Sequence, residues 1–227
     1  MHAFVPVPGG HASRLAETER TVLARLVADT AELLGTRLAE TGSGAGTATG
    51  AGELPAAGGT RLTPDDAVLA ALDFTPAEHL APDAPADPAL ARLLPPMSHD
   101  DPELAAELRA LTEGGLRSAK VSRLETVWRE LRGPARPGGA AVVRTGQEGA
   151  WLAALTDVRL VLASRLGIED DDDAEEVYDR AQSARSGGDD GDDGHDPVTD
   201  ALATMYAALT WWQESLLESM ERARRAK

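Results

Sequence analysis

Arg109, Glu113 and Arg117 stand four residues apart and Lys120 follows three further on, so a helix through them gathers all four side chains on one side. Glu113 can pair with either arginine, and it precedes Arg117 in the favourable order. Two kinds of chemistry fit such a row. It is either a solvated flank, whose ion pairs contribute about 0.3 kcal/mol each, or a protein-binding surface on which arginine offers bidentate contacts. Asp157 and Arg159 lie only two residues apart, point to different faces of a helix, and each needs a partner elsewhere. A buried polar link to the helix carrying Arg109 and Glu113 is one arrangement, and a partly exposed flank is the other. Trp211 sits about 100° around a helix from Trp212, so only one of the two can be central on an apolar stripe. The other becomes a candidate for self-association.

Catalytic and metal chemistry find less support. None of the five His residues stands in an HxxxH or HExxH pattern, and the chain has no Cys for a thiolate metal site or a redox switch. Gly44, Gly46 and Gly50 give GxGxxxG after a helical pattern, where a dinucleotide fingerprint needs GxGxxG after a strand. In "DDGDDGHD", Gly191 occupies a calcium-ligand position and Asp200 stands where a bidentate Glu belongs, so this run is expected to be a tether. No catalytic, cofactor-binding or metal-binding residue is assigned. The expectation is a protein that is not an enzyme.

Charge narrows the partners. The formal net charge is −16 over 227 residues, with thirteen acidic and two basic residues between Glu169 and Asp196, which leaves −5 for everything else. An acidic chain is repelled by nucleic acid, and neither a helix-turn-helix pattern nor a basic groove-facing helix stands out, so direct nucleic-acid contact is disfavoured. No apolar run approaches the ~20 residues of a membrane span, and the N-terminal "MHAFVPVPGG" lacks the basic and apolar regions of a leader, so a cytoplasmic protein without membrane contact is expected.

The elements that must position these residues are mainly helices. Apolar residues recur at helical steps over 13–40, where Ser13 is a plausible N-cap. They recur again from Leu104 through Leu108 and Leu111, read as a buried stripe, and resume at Val121, Leu124, Trp128 and Leu131, so the same face can stay buried. Gly114 and Gly115 between those groups weaken one long helix, or divide it in two. Trp151, Leu155, Val158, Leu162 and Leu166 define the clearest helix, closed by Gly167. The last helix starts at Asp196 and Pro197 and carries Leu202, Met205, Leu209, Trp212 and Leu216 on its apolar face. "AAVVRT" reads as a short strand that could pair with "AFVPV". The expected architecture is a single mainly α domain over 1–227. It is a compact bundle of about four long helices with short accessory helices and a small two-stranded β-ribbon. A flexible Gly-rich loop is expected at 41–60, and an acidic loop or tether at 169–196, within which "DDDDAEEVYDRAQ" can form a short helix.

The blocks "DPALARLLPP", "DDPELAAELRALTEGGLRSAK", "GAWLAALTDVRLVLASRLGI" and "MYAALTWWQESLLESM", in this order, resemble an actinobacterial family. That family was long known as a domain of unknown function and is now labelled the oxidative-stress transcriptional regulator family. The resemblance implies a cytoplasmic helical regulator of stress-response transcription. It would act by protein contact with the transcription machinery, such as an alternative sigma factor or RNA polymerase, and would need no cofactor. Oxidant sensing through a cysteine pair cannot operate in a chain without Cys. On this reading Arg109, Glu113, Arg117 and Lys120 form the interaction surface, and Asp157 and Arg159 hold it together. Two alternatives stay open: a self-associating adaptor, as a homodimer presenting Trp211, and a hydrolase using carboxylate-bound metal.

Overall fold

In the computed structural model, residues 1–38, 85–98, 100–134, 136–185 and 196–226 are described. The Gly-rich stretch 41–60, the segment "TPDDAVLAAL", whose Thr63 and Pro64 read as the cap and first position of a short helix, His79, His99 and the Asp/Gly run at 189–194 lie outside them.

The chain is mainly helical, with strands β1 (Val5–Val7), β2 (Gly10–Arg14) and β3 (Ala140–Arg144). Among the described residues the helices are α1 (Glu17–Leu33), α2 (Pro88–Leu93), α3 (Pro102–Arg132), α4 (Glu148–Leu166), α5 (Asp171–Arg185) and α6 (Pro197–Arg225). The four long ones are α1, α3, α4 and α6, and a single 3-10 turn at Pro137–Gly139 leads into β3. Helix α4 is central: it packs against α1, α2, α3 and α6, while α5 lies on α6. Its apolar period explains this, because Trp151, Leu155, Val158 and Leu162 are buried and Ala154 and Ala163 leave room for close neighbours. Gly167 closes α4 in the left-handed region at φ 74°, as a C-cap glycine does.

The small sheet corrects the two-stranded expectation. It has three antiparallel strands in the order β1-β2-β3, so "GHASR" stands between the two segments expected to pair. That sequence lacks the strand formers Val, Ile, Thr, Tyr, Phe and Trp, and its strand is made by tertiary contacts. Ser13, read as an N-cap, is instead in β2. Its hydroxyl accepts a hydrogen bond from Trp212 Nε1 at 2.8 Å and donates to the His2 carbonyl at 2.6 Å. Helix α1 is capped from inside, by Glu19 accepting from the Ala16 N–H at 2.8 Å. At Gly10 a side chain is excluded, since a Cβ would lie 2.0 Å from the Val143 carbonyl oxygen.

Behind the sheet, Phe4 stacks on Trp212 with ring centroids 4.9 Å apart, and Trp151 meets both rings edge-on at 6.3 and 6.0 Å. Arg20, buried in α1, ties the end of α3 to this core. Its Nη2 donates to the carbonyls of Leu131, Glu130 and Gly133 at 2.9, 3.1 and 3.2 Å. A cation therefore occupies the negative end of the α3 dipole and satisfies carbonyls that the helix leaves without partners.

Gly114 and Gly115 do not divide α3, which runs unbroken for 31 residues or roughly 46 Å. Continuity has a consequence for phase. At about 100° per residue, Leu104 and Leu111 share one direction while Leu124, Val127 and Leu131 point about half a turn away. The second group is buried, whereas Leu104 and Leu111 are 44% and 78% exposed, contrary to a single buried stripe that includes them.

Candidate functional site

The charged row occupies the side of α3 that, further along, makes the core. Arg109, Glu113, Arg117 and Lys120 fall in the same angular sector as Leu124, Val127 and Leu131. Arg117 Nη2 lies 2.7 Å from Glu113 Oε1, and Arg109 Nε lies 3.8 Å from Glu113 Oε2. The two arginine side chains are 14% and 30% exposed at Arg109 and Arg117, and Glu113 between them is 15% exposed, which makes this a shielded row.

Lys120 ends the row differently. Its Nζ donates to Asp157 Oδ1 at 2.5 Å, bridging α3 and α4 with both groups largely out of water. Asp157 Oδ2 is buried with no hydrogen-bond partner among the described residues. A half-satisfied buried pair of this kind costs desolvation on both sides, so removing one partner is more damaging than removing both. Arg159 leaves α4 toward α6: its Nη1 donates to Gln213 Oε1 at 3.1 Å and its guanidinium lies 5.4 Å from the Tyr206 ring centroid. The structure thus brings Arg109, Glu113, Arg117, Lys120 and Asp157 together along one seam and places Arg159 at a separate contact. The roles of Gln213 and Tyr206 carry no sequence signal, because pairing across helices is set by their packing.

The opposite side of α3 presents Leu104, Glu107, Leu111, Gly114, Gly115 and Ser118 to solvent. A Cβ built on either glycine meets nothing within 4 Å. Helix α6 places Trp212 in the core and leaves Trp211 46% exposed.

One further cluster has the outline of a catalytic row. His11 Nδ1 lies 2.7 Å from Ser219 Oγ, and His11 Nε2 lies 3.9 Å from Glu148 Oε1. Ser219 is fully buried and His11 nearly so, which denies a substrate access to the hydroxyl. The cluster clamps β2 to α6. Burial holds the His11 imidazole below its ordinary pKa, and the nearby Glu148 carboxylate opposes this only in part. No group of three or more His, Asp or Glu side chains among the described residues is arranged to hold a metal ion.

These features define a mainly helical protein with a small antiparallel sheet, whose conspicuous chemistry lies on surfaces and seams. The chain matches the family described as Domain of unknown function (DUF2017) over residues 1–220 and belongs to it. No curated protein and no solved structure matches the chain. Among the described residues, no helix is long and apolar enough to cross a membrane.

Proposed function

We propose that this protein is a cytoplasmic regulator that acts by binding another protein through the first half of α3. The observation that supports this reading most is the outward pair Leu104 and Leu111, exposed beside two glycines with open space above them. Apolar side chains flanking bare backbone allow a partner helix to approach closely, while arginine at the flank supplies directional polar contacts. Arg117, the more exposed arginine of the row, lies about 60° around α3 from Gly114 and reaches that surface from the edge of the charged side, with Arg109 and Glu113 orienting it and the Lys120–Asp157 bridge fixing α3 on α4. The resemblance of the sequence blocks to the oxidative-stress transcriptional regulators directs the proposal to the transcription machinery, with an alternative sigma factor or RNA polymerase as partner. No thiol switch and no cofactor enter this mechanism.

The test is reconstitution with purified RNA polymerase, with and without alternative sigma factors of the source cell, using wild type beside Leu111→Asp/Arg117→Glu. Saturable binding that weakens at least tenfold in the variant, with its melting transition retained, is the expected result. Binding that is absent in wild type, or equal in the variant, removes the surface from consideration. A second reading, self-association as a homodimer, is favoured by the exposure of Trp211. It requires a dimer in sedimentation that Trp211→Ala dissociates.

A further inference from the structure

At the opposite end of α3, a cavity of about 550 Å³ opens between the helix terminus, the loop leading to β3 and the start of α4. Its polar lining includes Arg129, Arg136 and Arg144 together with Thr126, Glu130 and Gln147. Three guanidinium groups around one opening are unexpected in a chain of net charge −16.

The nearby sources of negative potential are already engaged, and Glu148, in the first turn of α4 beside Gln147, accepts from the Gly146 N–H at 2.6 Å. Glu130, the carboxylate in the lining, accepts from Arg136 Nε at 3.1 Å and Nη2 at 3.3 Å, and from the Val142 N–H at 3.0 Å. The terminal carbonyls of α3 accept from Arg20 on the far side of the same turn. Positive donors remain. Arg144 is exposed and engaged by no carboxylate among the described residues. Arg129 reaches Glu125 at 2.6 Å, but its side chain is 62% exposed and can swing to a second acceptor at little cost. Gln147 immediately precedes α4, whose first amides have no helical acceptor and whose dipole adds positive potential at this end.

We infer that this cavity binds a phosphate group, as free phosphate or as the head of a small phosphomonoester. Arginine forks match the tetrahedral oxygens of a dianion, and the volume leaves room for an organic body behind the head. The site lies at the other end of α3 from the protein-binding surface proposed above and does not depend on it.

Calorimetric titration of the full chain at constant ionic strength tests this directly. The probes are inorganic phosphate and phenyl phosphate, with chloride and benzoate as controls. Phosphate and phenyl phosphate are expected to bind at least tenfold more tightly than either control. Tighter binding of phenyl phosphate than of phosphate would identify an ester as the ligand, and equal binding would identify the free ion. Arg129→Gln/Arg144→Gln is expected to weaken binding at least tenfold without lowering the ligand-free melting temperature. Arg25→Gln, on exposed α1 surface, is expected to leave binding unchanged. Phosphate bound no better than chloride, retained binding in the double variant, or an equal loss in Arg25→Gln would each overturn the inference.

Discussion

Along α3, residues beyond Val121 turn Leu124, Val127 and Leu131 into the core, whereas residues before Gly114 turn Leu104 and Leu111 to solvent and Arg109 and Glu113 to the seam. Both halves contain leucine at helical spacing, and a continuous hydrogen-bonded helix joins them. The difference is one of phase. The sector that is apolar in the second half is charged in the first, so the packed end of the helix anchors it and the other end displays it. Arg20 caps the packed end of α3, while the His11–Ser219 clamp fastens β2 to α6 and the aromatic trio fills the core behind the sheet.

The sharpest way to break this comparison is to truncate one leucine in each half. Leu124→Ala is expected to cost about 2–5 kcal/mol, by lost transfer energy and the cavity left behind. Leu111→Ala is expected to change stability by less than about 0.5 kcal/mol. Urea unfolding of the two variants measures both, and equal costs would mean that the first half is packed.

A smaller effect separates the ends by pH. The His11 pKa is lowered in the folded protein by burial, so the unfolded chain binds a proton more readily. Stability from neutral His11 is therefore present above the unfolded value of about 6.5 and is lost as pH falls through the lower folded value. The melting temperature should drop as pH falls below about 6.5. In His11→Asn that part of the drop should disappear, whereas variants in the first half of α3 should keep it.

A small change of the opposite sign is expected at the two glycines. Gly114→Ala and Gly115→Ala, in a helix interior with open space, should each stabilise by about 0.5–1 kcal/mol. On the proposed surface they should also weaken partner binding, because a methyl group stands where the partner's backbone would approach. Destabilisation in thermal melts would show that the glycines are packed.

Much of the helical frame was legible because its signals are local. Trp151 to Leu166 repeat at helical steps and end at Gly167, and Asp196 caps α6 by accepting from the Val198 N–H at 3.1 Å. Strand β2 was not legible, since "GHASR" owes its extended form to Trp212, Ser219 and β3 rather than to its own propensities. The charged row could be read from its spacing, yet its exposure could not. Whether Arg109 and Leu111 face the seam or the solvent depends on the phase of α3 against α1 and α4. The Lys120–Asp157 bridge joins residues on two different helices, and its register follows from their packing.

By itself the sequence determined a mainly helical chain, the caps and apolar periods of its clearest helices, an acidic balance without thiol chemistry, and the spacing of a charged row. Those properties depend on neighbours within a few positions or on composition. Only the tertiary structure decided that α3 stays whole through two glycines, because about 1 kcal/mol per glycine is outweighed by the packing that anchors the second half of the helix. It also decided which face of α3 meets water and which arginines gather around the cavity at its end, since both depend on how distant segments are brought together.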